Sequence, residues 1–138
     1  MAHIEKGDLF MAGPIMSRVD TIFIHVRNLN DSIQWYSRLL GIEVPQKDYV
    51  GPIYTFPMGE GRPGITLDNH CFDQDYQFTP SSHPLFNLST HDINASFLHV
   101  KELGAKITSP IQVYPDLSEF SFIDPDGNPI MVCSCMTE

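Results

Sequence analysis

The chain has 138 residues, enough for one compact core and too few for two independent ones. Hydrophobic residues make up 42% and charged ones 18%, the balance of a globular protein, and no apolar run reaches bilayer length. Lys and Arg number 8 against 17 Asp and Glu, and the net charge of −9 argues against a nucleic-acid or anionic-membrane surface.

Residues 1–16 read as an arm, because Asp8 and Gly13-Pro14 interrupt their apolar stretch and no signal-peptide layout emerges. From Thr21 the pattern has a period of two. Ile22, Ile24 and Val26 alternate with Thr21, Phe23 and His25, which marks a strand with two differently used faces. Asn30 or Asp31 can cap the helix that follows, whose Ile33, Tyr36 and Leu40 fall at helical spacing before Gly41. Trp35 and Tyr36 are expected to fill the space between helix and sheet. Ile42 to Val44, Ile53 to Phe56 and Ile65 to Asp68 read as further strands, separated by Pro and Gly.

Residues 69–83 are polar and turn-rich, and read as a linker whose Phe72, Tyr76 and Phe78 can fold back as a lid. After it the plan repeats. Phe86, Leu88 and Thr90 alternate with Leu85, Asn87 and Ser89, and Asp92 can cap a helix that closes at Gly104. Ala105 to Thr108, Ile111 to Tyr114 and Phe120 to Ile123 are expected strands. Asp124 to Asn128 is a hairpin turn signal, and Ile130 to Cys135 the closing strand. Ile22 and Phe86 are 64 positions apart, Gly41 and Gly104 63, so the chain says one thing twice.

The segments VDTIFIHVRNLNDSIQWYSRLLGIEV and FIDPDGNPIMV, in that order at this length, resemble the opening and the closing hairpin of the vicinal oxygen chelate superfamily. That group includes glyoxalase I, extradiol dioxygenases and bleomycin-resistance proteins. The resemblance covers Ser17 to about Cys135. It implies an α+β fold of two tandem βαβββ modules, residues 17–68 and 84–138, forming a cupped, barrel-like cleft and often a homodimer.

Metal-dependent members of the superfamily carry His or Glu ligands on the cleft face of the first and last strands of each module. The resemblance puts those positions on Thr21, Thr66, Leu85 and Met131. None is a competent ligand for a divalent ion. No metal cofactor is therefore expected at the usual place. A displaced divalent site drawing on His25, Asp68, His70 and His83, joined by Cys133, is the alternative.

The expected ligand-binding set is Thr21, Phe23, His25, Tyr54, Thr66, Asp68, Leu85, Asn87, Phe120, Phe122 and Met131, an apolar and aromatic cleft with sparse polar anchors. His25 and Asp68 are the cleft candidates for proton transfer, with His25 as a metal-free general base. Cys71, Cys133 and Cys135 form no disulfide framework, which suggests a reducing, cytoplasmic setting with Cys133 and Cys135 as buried structural thiols. Three functions follow from these residues. The leading one is a metal-free module binding a small, largely apolar or aromatic molecule. The second is a lyase, isomerase or dioxygenase using the displaced site or His25, and the third is an assembly subunit with a plugged cleft.

Overall fold

The computed structural model describes residues 13–135. The expected arm therefore falls largely outside the described residues. Nine elements follow in chain order: β1 (Thr21–His25), α1 (Leu29–Leu40), β2 (Ile53–Phe56), β3 (Gly64–Asp68), β4 (Asn87–Ser89), α2 (Ile93–Glu102), β5 (Lys106–Val113), β6 (Leu117–Ile123) and β7 (Pro129–Cys135). They form a three-stranded sheet, β1-β3-β2, and a four-stranded sheet, β4-β7-β6-β5. The α+β class and the two-module plan are as the sequence implies, although the sheets do not close into a barrel.

Helix α1 starts two or three residues earlier than expected. Its cap is Asn28, whose side-chain oxygen accepts from the Asp31 backbone N–H at 2.9 Å, while Asn30 instead pairs with the Tyr49 backbone. Gly41 ends it in the left-handed region at φ 69°, a conformation that suits a residue without a Cβ. Asp92 caps α2 as expected, accepting from Ala95 N–H at 3.0 Å.

Two expected strands need correction. Ile42 to Val44 forms none: the Ile42 N–H is spent on the Ser37 carbonyl at 2.9 Å, and Pro45 has no N–H to offer a ladder. The first sheet therefore has three strands. Ala105 to Thr108 and Ile111 to Tyr114 instead belong to one strand, β5, whose register shifts between Ile107 and Gln112, around Pro110. An edge strand tolerates that missing donor.

One apolar core runs through both modules. Ile24, Leu67, Tyr36 and Phe56 join Val100, Phe120, Phe122 and Ile130 in it. Tyr36 lies in the core and Trp35 at its margin, as their helical positions imply, with the Trp35 ring 4.9 Å from Tyr36 and 6.3 Å from Phe122.

A buried carboxylate ties the modules together. Asp124, 3% exposed, accepts from the Tyr36 hydroxyl at 2.6 Å, from the Asn128 side chain at 2.9 Å, and from the backbone N–H groups of Asp126 and Asn128. Burial, reinforced by that carboxylate, pushes the Tyr36 phenol well above its usual range, so it remains a donor. Asn128 also donates to the His25 carbonyl at 2.9 Å. The end of β1 is thus pinned by a turn some hundred residues away in sequence.

Candidate functional site

The parallel pairing of β1 with β3 sets Phe23 opposite Thr66 and His25 opposite Asp68. Opposed residues share a face, and Ile24, Ile65 and Leu67 take the other one, buried in the core. Thr21, Phe23, His25, Thr66 and Asp68 therefore share the face away from that buried row. In the second sheet Asn87, Met131 and Ser121 form one cross-strand row, and Ser89, Cys133 and Glu119 the next.

Three expected cleft residues lie on the opposite side. Phe120 pairs with Val132 and Phe122 with Ile130, so both rings join the core at 0% exposure, Phe120 edge-on to Phe97 of α2 at 5.1 Å. Tyr54 pairs with Leu67 and packs edge-on to Tyr49 and Phe56. Strand parity alone left the face of these runs open, and the pairing decides it.

The positions where relatives would hold an ion are chemically quiet. Thr66, 2% exposed, bonds through its hydroxyl to Thr21 at 2.7 Å and to Thr55 at 2.8 Å, a self-satisfied chain. Leu85 is 69% exposed and precedes β4, and Met131 offers only a thioether. These residues do not fit a divalent ion.

The chemistry gathers further along the same strands. His25 Nδ1 and His70 Nε2 lie 2.7 Å apart, and Asp68 Oδ2 lies 3.8 Å from His70 Nε2. All three donors fall within 4.8 Å of one another. His70 stands just past β3 in the left-handed region at φ 54°, unusual for a residue with a Cβ. Asp68 holds it there by accepting the His70 backbone N–H at 2.8 Å through Oδ1, which leaves Oδ2 to face the ring. Tyr76 of the linker stacks on that ring at 3.8 Å and 11°. Such a cluster can share a proton between imidazoles or hold a cation. His83 and Cys133 take no part in it.

Beside it lies a cavity of about 110 Å³, lined mainly by Phe23, Ile24, His25, Leu85, Phe86 and Asn128. Thr79 and Ser81 of the linker complete one wall. The linker is held down further on, where the Arg27 guanidinium sits 4.1 Å over the Phe78 ring and pairs with Asp126 at 3.3 Å. Tyr76 and Phe78 fold back as expected, whereas Phe72 is 79% exposed.

The profile of the glyoxalase/bleomycin resistance protein/dioxygenase superfamily matches residues 18–132. The chain belongs to that superfamily. Among solved structures, a superfamily member from Sphaerobacter thermophilus superposes with a TM-score of 0.69 at 21% identity, covering 86% of this chain and 98% of that one. A hypothetical protein, SA1046, from S. aureus gives 0.66 at 20% identity, with 92% and 99% covered. A lactoylglutathione lyase from Agrobacterium tumefaciens gives 0.63 at 16%, with 86% and 93% covered. At such identities the likeness shows the glyoxalase fold and not the reaction. No curated protein matches the chain. Among the described residues, no helix is long and apolar enough to cross a membrane.

This superfamily member also carries paired thiols on β7. Cys133 and Cys135 have their sulfurs 3.5 Å apart, but only Cys133 is buried, so the expectation of two buried thiols holds for one. Burial, then the Cys135 thiol, pushes Cys133 up to about 11. In iodoacetamide labelling at pH 8 followed by mass spectrometry, the exposed Cys71 and Cys135 should react first. Cys133 should lag until the pH approaches its raised value. Equal labelling of all three would contradict that burial.

Proposed function

We propose that the chain binds a small, largely apolar or aromatic molecule in the cavity between β1 and the Leu85-Phe86 segment. The observation that carries this reading is the composition of the cavity wall: Phe23, Leu85, Phe86 and Ile130 line it, with His25, Thr79 and Ser81 as its polar residues. A dry cavity of about 150 Å³ accepts a benzene-sized guest, so about 110 Å³ suits part of such a molecule with the remainder in the mouth. The hydroxyl chain at Thr21, Thr55 and Thr66 supports binding without an ion at those positions.

A homodimer in the cytoplasm completes the proposal. The half-exposed Phe23 and Ile53 and the unpaired thiols support it.

The test is a thermal-shift screen of small aromatic compounds on chelator-treated protein. A ligand at a hundred times its Kd should add about 2.7 kcal/mol of stability. Phe23→Ala should abolish that shift while moving the unliganded midpoint little, because the ring is already 46% exposed. A cleft that answers to no compound would favour the plugged-subunit reading instead.

A further inference from the structure

The cluster beside the cavity has a composition that its hydrogen bonds alone do not require. Two imidazoles and one carboxylate, from two neighbouring strands and the second residue past one of them, bring their donor atoms within 4.8 Å of one another. We propose that His25, Asp68 and His70 form a binding site for a first-row divalent transition ion of the zinc, nickel or cobalt kind. This site is separate from the positions of Thr21, Thr66, Leu85 and Met131. It shares His25 with the cavity but does not depend on an organic molecule binding there.

Donor chemistry selects the ion. Imidazole nitrogen suits borderline metals, and a set that is two-thirds nitrogen is a poor match for calcium and magnesium, which take oxygen donors. Three protein donors also leave coordination positions open.

Distance is the second argument. Donors around one tetrahedral ion, each about 2.0–2.2 Å from it, stand about 3.3–3.6 Å apart. The 2.7 Å between the imidazoles and the 3.8 Å from Asp68 to His70 bracket that value, and all three donors lie within 4.8 Å of one another. Side-chain rotations of about 1–1.5 Å bring them to it. The ion would replace the shared proton, with both rings protonated at their far nitrogens, His25 at Nε2 and His70 at Nδ1.

Preorganisation is the third. The left-handed backbone at His70 is a strained conformation that only surrounding structure can maintain. The Asp68 turn bond and the stacked Tyr76 are that structure, and the clasp of Asn128 on the His25 carbonyl steadies β1. They fix the donors from behind, as outer partners do in metal sites.

Zinc and cobalt titrations of the full chain test this, with calorimetry for stoichiometry and the visible cobalt spectrum for nitrogen coordination. Wild type should take one ion per chain and ignore calcium and magnesium. His70→Gly relaxes the left-handed backbone while deleting a donor, so it should fold and bind more than about 100-fold more weakly, beyond what loss of an outer partner costs. Asp68→Asn keeps an oxygen for the turn and should also weaken binding, whereas Cys133→Ser should bind as wild type does. Absence of stoichiometric binding would overturn the proposal. So would unchanged affinity in His70→Gly, or loss of the ion in Cys133→Ser. The organic-ligand screen is run in chelator, so either proposal can fail without the other.

Discussion

Replacing Asp124 by alanine should lower the unfolding free energy by about 3–5 kcal/mol, read as a shift of the urea midpoint followed by circular dichroism. The carboxylate accepts four hydrogen bonds, from the Tyr36 hydroxyl, the Asn128 side chain and two backbone N–H groups. Its removal strands those donors where water has little access, at about 1–3 kcal/mol for each buried group left unsatisfied and less where the turn relaxes. Asn128 is expected to loosen with it, releasing the His25 carbonyl. The same variant should therefore blunt ion binding as well as stability. A loss of under about 1 kcal/mol would mean that the brace is ornamental.

Phe120→Ala should cost about 3–5 kcal/mol, as for other fully buried aromatic rings truncated in a core. The ring sits between Phe97 and Phe122 and has no exposed surface, so its loss leaves a void that its neighbours cannot fill completely. This experiment also decides the orientation of β6. A Phe120 lining the cleft would tolerate truncation and change ligand binding, while a Phe120 in the core destabilises the chain and leaves cavity contacts intact. Calorimetric unfolding read beside ligand binding distinguishes the two.

Much of the architecture was written in local chemistry. The Asp92 cap, the left-handed Gly41 and the turn at Asp124 to Asn128 each act through their immediate neighbours, and a sequence displays neighbours directly. Where an element depends on a distant partner, the pattern was mute. Ile42 to Val44 has strand-like composition but nothing to pair with, since its first N–H turns back to Ser37. Phe120 and Phe122 alternate properly, yet alternation names two faces without saying which is inward. Only pairing with Val132 and Ile130 does that.

The candidate site shows the same division. Alternation placed His25 and Asp68 on one face, and their cross-strand register confirms that they are opposed. His70 is one of several ligand-type residues in the sequence, beside His83 and Cys133, and nothing in its spacing singles it out. Its ring arrives through a backbone conformation outside any regular element. The only local sign was the Asp68-Asn69-His70 order, a side-chain acceptor two residues before a backbone N–H, which is turn chemistry rather than a metal motif.

Every donor of the cluster lies at or before the start of the linker, His70 being its second residue, and the residue that steadies β1 from behind lies after it, in the Asp124 to Asn128 turn. Severing the polypeptide between its halves would leave one piece owning the whole chelating group and the other owning its scaffold. Affinity for an ion would then become a gauge of whether the two pieces had come back together.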